Sequence, residues 1–165
     1  MRQLTMLGVV CFAAFSLVSV ARANDDKCKD VDGHAVWTVI PAPNDPLGRI
    51  LGPSTGDLQA AVSTFLTSLV PQPDGSLQGT SVDVWVLDLQ NILIFNGKTT
   101  LTPIPGAPVG TVSESTTLTV AGGTGKFAGA TGVLHVTGTG FNVFGPKAGP
   151  GSGYFDVNYK GNICR

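Results

Sequence analysis

Five glycines fall between Gly122 and Gly132, flanked by Leu118 and Val120 on one side and by Val133, Leu134 and Val136 on the other. Apolar and β-branched residues of this kind make strands, and glycines between them break the ladder, so the stretch predicts strand, corner, strand. Gly122, Gly123, Gly125, Gly129 and Gly132 permit positive φ or the close approach of another backbone, which few residues tolerate. Phe127, the large apolar residue among them, is expected to anchor the corner. The run lacks the Lys-Ser/Thr ending of a phosphate-binding loop and leads into a strand, not a helix, so that chemistry is set aside. What remains is a β-hairpin around which the chain is organised.

Further strands follow the same logic. Val31 to Ile40 reads as a first strand, ended by the proline-rich Pro41 to Pro46, a loop or sheet edge. Between Asp57 and Val70, the apolar residues Leu58, Ala61, Val62, Phe65, Leu66 and Leu69 recur at three and four, which predicts a helix capped by Thr55 or Asp57. Val62, Ser63, Thr64, Phe65 and Thr67 lean towards strand instead. Pro71 to Gly75 is a turn. From Ser81 to Leu87 both faces are largely apolar, as in a closed barrel with an apolar lumen or a covered outer wall.

Ile92 to Phe95 and Lys98 to Leu101 are expected to pair across an Asn96-Gly97 turn. Pro103 to Pro108 is a loop, Thr111 to Val120 and Thr131 to Phe144 are strands, and Gly145 to Gly153 is a connector before a last strand at Tyr154 to Ile163. Some seven or eight strands joined mainly by turns predict an all-β fold, an antiparallel barrel or a sandwich.

The first residues have the layout of a secretory signal peptide over 1–23: Arg2, an apolar run to Val20, and Ala21-Arg22-Ala23 before a polar stretch. The run is interrupted by Ser16 and Ser19 and is short for a bilayer, so cleavage is preferred to anchoring. A single domain over 24–165 is expected, secreted or periplasmic, without stable membrane insertion. Cys11 leaves with the signal. Cys28 and Cys164 then form an even pair in an oxidising compartment and are read as a disulfide joining the chain ends, with free thiols as the alternative. That closure favours the barrel. Ten basic residues against eleven acidic ones give no cationic surface for nucleic acid. His34 and His135 are isolated, so no metal is expected.

Val120 to Val133, with its Gly-Gly-Thr-Gly-Lys-Phe core, resembles the glycine signature of dirigent proteins and of the related allene oxide cyclase barrel. It also resembles uncharacterised exported bacterial proteins carrying that barrel. Asn44-Asp45-Pro46-Leu47 is similar to the dirigent Asp-Asp-Pro-Leu loop, and Tyr154 to Tyr159 to the closing strand. Thr116-Thr117 stands where the dirigent signature has Arg-Glu. The resemblance implies an up-and-down barrel of about eight strands, often trimeric, with an apolar lumen and no cofactor. Relatives use that lumen to steer phenoxy-radical coupling or to close a ring in an oxidised fatty acid.

Candidate functional residues are few. Asp83 shares a strand face with Trp85; turned inward it would be a desolvated acid, but burial without partners is costly, so an outward, solvated Asp83 is preferred. Glu114, the lone glutamate, is weighed the same way. Tyr154 is the third catalytic candidate. Asp45, Trp85, Asp156 and Tyr159 are the ligand-binding candidates, at the proline loop, the wall and the rim. No nucleophile elbow or hydrolase triad is present. Two functions fit: a barrel that binds a small apolar or phenolic molecule and steers its cyclisation or coupling, or a non-enzymatic surface module with a filled core. Enzyme status is left open, and a dimer or trimer suits either reading.

Overall fold

Alternation of inward and outward side chains governs the computed structural model, which describes residues 27–42, 45–143 and 153–165. The side chains at 41, 42, 45 and 46 are not included, and the signal peptide expected over 1–23 lies outside the described residues. Eight strands follow in order: β1 (Cys28–Ala42), β2 (Asp45–Gly56), β3 (Ala60–Pro71), β4 (Leu77–Val86), β5 (Ile92–Pro103), β6 (Val112–Gly123), β7 (Thr131–Phe141) and β8 (Tyr154–Cys164). Each pairs antiparallel with its sequence neighbours, and β8 pairs with β1. The result is a closed up-and-down barrel, of the two all-β folds that the strand pattern predicts the one that the expected disulfide favours. Closure leaves no unpaired edge among the described strands for another chain to template on.

On β4, Ser81, Asp83 and Trp85 point inward and are buried, while Val82, Val84 and Val86 lie half-buried outside. On β8, Phe155, Val157 and Tyr159 point inward against Tyr154, Asp156 and Asn158 outside. The inward set packs densely at the end of the barrel that holds the Cys28–Cys164 pair. There Trp85 meets Trp37, Phe95 and Tyr159 edge-on, at ring-centroid distances of 6.2, 5.6 and 5.2 Å. Such pairs contribute about 0.5–1.5 kcal/mol each beyond simple burial. The Tyr159 hydroxyl donates to Thr55 O at 2.8 Å and accepts from Leu58 N at 2.9 Å, so it ties β8 to the turn after β2.

The glycine corner sits at this same end. Gly122 and Gly123 finish β6, and Gly125, at φ +57°, opens a short 3-10 turn over Gly125–Phe127. Phe127 is buried, as its position in the sequence predicts. The corner is fastened to the turn between β4 and β5: Thr124 Oγ1 donates to Gln90 O at 2.7 Å, and Lys126 N donates to Asn91 Oδ1 at 2.8 Å. Cys28 and Cys164 face each other across the β1–β8 ladder and form the expected disulfide.

Three local expectations are corrected. Residues 57–70 are not helical but run from a turn into β3. A β-bulge between Leu66 and Ser68 shifts the strand's phase, so Val62 and Leu66 face inward before it and Leu69 after it. That offset reproduces a three-and-four spacing without any helix.

Asn96-Gly97 is not a turn either. Both residues lie inside β5, paired to β4 through Val82 and Ser81 and to β6 through Thr119 and Leu118. The third correction concerns β2, which the proline and glycine content of its sequence concealed. β1 continues to Ala42, which pairs with Asp45 at the start of β2, so only residues 43–44 connect the strands. Of the connector expected at Gly145 to Gly153, residues 145–152 lie outside the described residues.

Candidate functional site

Beyond the aromatic cluster, towards the end of the barrel away from the disulfide, the lumen opens into a cavity of about 360 Å³. Trp37 of β1 lines it where the aromatic cluster begins, and Leu47, Asn142, Val143 and Gly153 line it near the strand ends. One side of the wall is apolar, with Val39, Ile50, Val136 and Phe155 from β1, β2, β7 and β8. The other side, from inward positions of β3 to β6, sets Thr64, Ser81, Asp83, Thr99, Glu114 and Thr116 among Leu66, Leu69, Leu101 and Leu118.

Asp83 is 3% exposed and faces the lumen, which corrects the outward orientation preferred from the sequence. Its carboxylate accepts from Ser81 Oγ at 2.6 Å through Oδ2 and from Thr64 Oγ1 through Oδ1. These partners remove the objection to burial, since each oxygen keeps a donor. Desolvation nevertheless holds its pKa above the ordinary carboxylate range, with the hydroxyls of Ser81 and Thr64 pulling the other way. Space for the group comes from Gly97, which is paired with Ser81 on the neighbouring strand. A β-carbon there would collide with Ser81 Oγ and approach Asp83 Oδ2 to 3.1 Å.

Glu114 lines the same cavity from β6, so the outward orientation is corrected here too. Its Oε1 accepts from Thr116 Oγ1 at 2.8 Å. Because Thr116 gives its proton to Glu114, Thr99, which is hydrogen-bonded to Thr116, donates in turn. Oε2 is buried and has no hydrogen-bond partner among the described residues. Burial pushes the Glu114 carboxyl up to about 7, the Thr116 hydroxyl pulls it down, and the charge of Asp83 raises it further. The charge of Asp83 thus opposes ionisation of its neighbour.

The other candidates separate from this pair. Tyr154 is exposed on the outer wall, stacked on Phe141 at 4.9 Å. Asp156 also points outward, within 2.7 Å of His34 Nε2. Trp85 is fully buried in the aromatic cluster and is not part of the cavity lining. Tyr159 is held in the same cluster by Thr55 and Leu58, and burial raises its pKa. Asp45 opens β2, and its side chain is among those not described.

The hydroxyls of Thr64, Ser81, Thr99 and Thr116, and the ring of Trp37, were not singled out from the sequence. The signal for two of them was present. Period-two alternation from Glu114 puts Thr116 on its face, and from Asp83 it puts Ser81 there. Thr64 and Thr99 join only through strand pairing. Trp37 Nε1 is a further buried polar atom with no partner among the described residues.

No protein-family model matches this chain, and no curated protein matches it. Among solved structures it is similar to a pterocarpan synthase dirigent protein, at 12% identity over 86% of this chain and 88% of that one, with a TM-score of 0.29. The fold assignment itself rests on the strand pairing: all-β, eight strands, antiparallel and closed.

Proposed function

We propose that the protein holds a small, largely apolar molecule in its lumen, with the polar end of the molecule at Glu114 and Asp83 and its body against the apolar wall. One observation carries the reading. A buried carboxylate oxygen, Glu114 Oε2, has no hydrogen-bond partner among the described residues and stands beside a cavity of about 360 Å³. Ligand sites have this composition, mostly apolar with a few convergent polar groups. Where chemistry follows binding, the wall would act by restricting conformers and excluding water, as in a steered cyclisation or coupling. Export to an oxidising compartment is part of the proposal, supported by the Cys28–Cys164 disulfide.

Titration with a neutral apolar fluorophore, N-phenyl-1-naphthylamine, tests the binding step. Saturable enhancement with one site per barrel is expected, and Val136→Trp, which fills the cavity from β7, should abolish it. Binding that survives this substitution, or no saturable binding at all, would rule out the lumen as the site.

A further inference from the structure

The polar wall has an unbalanced inventory. Its two acids face one cavity, and the described lining contains no lysine, arginine or histidine. Every hydroxyl proton on that wall is already committed: Ser81 and Thr64 donate to Asp83, Thr116 donates to Glu114, and Thr99 donates to Thr116. What the wall still offers is an acceptor, Glu114 Oε2, beside a second carboxylate; the other buried atom on the lining without a partner among the described residues, Trp37 Nε1, is a donor and belongs to β1, where the aromatic cluster begins. A group that brings protons and positive charge would meet that acceptor and offset the repulsion between the acids. A carbonyl or a carboxylate would bring neither.

Building on the lumen reading, we infer that the preferred occupant is a hydrophobic amine, a compact apolar body whose ammonium sits against Glu114 and Asp83. The remainder of the lining suits such a body, since Leu118, Val136, Trp37 and Phe155 line the same cavity as the acids. A metal ion suits it less. Among the described residues no group of three His, Cys, Asp or Glu side chains gathers to hold one. Calcium takes six to eight oxygens and magnesium keeps its waters, and neither has use for an apolar wall.

The pH dependence follows from the groups that face Glu114. Asp83 is the titratable one; β5 presents Thr99 and Leu101 and β7 presents Val136, none of which titrates, while Lys98 and His135 stand on the outer wall. An ammonium binds the ionised acid, and an alkylammonium keeps its own proton through the neutral range. Affinity for the amine should therefore rise with pH as Glu114, whose carboxyl is pushed up to about 7, loses its proton.

Titration calorimetry with 1-naphthylmethylamine, the neutral 1-naphthalenemethanol and the anionic 1-naphthoate decides the matter. At pH 8 the amine should bind at least roughly tenfold more tightly than the alcohol, and the naphthoate should not bind. Between pH 8 and pH 5.5 the amine should lose roughly tenfold or more while the alcohol changes little. Glu114→Gln should remove the difference between amine and alcohol. Should that variant fail to fold, the wild-type pH series decides alone. Alcohol binding as tight as amine binding, or preference for the naphthoate, overturns the amine assignment and leaves the lumen reading in place. If none of the three binds and the fluorophore titration also fails, both fall together.

Discussion

Gly97 and Ser81 face each other across the β4–β5 ladder, and the missing side chain of the first is what lets the second reach Asp83. A residue that reads as half of a turn signal is thus a spacer inside a strand. Its neighbour Asn96 points outward and is exposed.

Gly97→Ala tests that relationship. The added carbon must displace Ser81 or the backbone, so overpacking should cost about 1–3 kcal/mol. Urea denaturation measures the loss, which should shrink when Ser81→Ala is combined with it. Equal costs with and without the Ser81 hydroxyl would show that the two positions are not coupled.

Glu114 predicts a specific pH dependence of stability. Its carboxyl titrates near 7 in the folded chain against 4.5 ordinarily, so between those values the folded state binds more protons than the unfolded one. Stability should therefore fall as pH rises from 4.5 to 7, by on the order of 2–3 kcal/mol for this group. Asp83, also raised, acts in the same direction. Denaturation curves at pH 5 and pH 8 measure the difference, and Glu114→Gln should flatten it. A wild-type protein no less stable at pH 8 than at pH 5 would contradict the buried, uncompensated placement of the acid.

Removing the disulfide should loosen the closure of the barrel. Its cysteines are 136 residues apart, and for a loop of that length chain entropy sets an upper contribution of about 5 kcal/mol. The double variant Cys28→Ser, Cys164→Ser should lose about 2–5 kcal/mol, with hydrogen exchange rising first in β1 and β8. Unchanged stability would mean that the strand pairing alone closes the cylinder.

Tyr159→Phe should separate structure from binding. The substitution deprives the buried Leu58 N–H of its acceptor and Thr55 O of a donor, which should cost about 1–3 kcal/mol. Fluorophore affinity should stay within about twofold of wild type, because Tyr159 lies in the aromatic cluster below the cavity. A large loss of affinity without loss of stability would return Tyr159 to the binding site.

Much of the barrel was readable from period-two alternation, and the face shared by Asp83 and Trp85 was visible in Ser81 to Leu87. Which way that face points was not. A shift of one residue in register exchanges lumen and exterior, and the partners that make a buried Asp83 tolerable include Thr64, on the preceding strand. The bulge in β3 misled the periodicity for the same reason, since its offset becomes meaningful only against the pairing of Thr80 with Ser68. The paired cysteines were legible because nothing but their even number, once the expected signal peptide takes Cys11, was needed. The hydroxyls around the acids were not, because serine and threonine are common on the outer faces of strands as well.

The aromatic cluster around Trp85 concentrates the cohesion of the molecule at the disulfide end. Side chains in the opposite half border a space instead of one another, so partly buried wall residues such as Val39, Ile50 and Leu69 can be exchanged for others of different bulk at modest cost to the cylinder. The shape of the chamber is then an adjustable property of this architecture, and its diameter a fixed one.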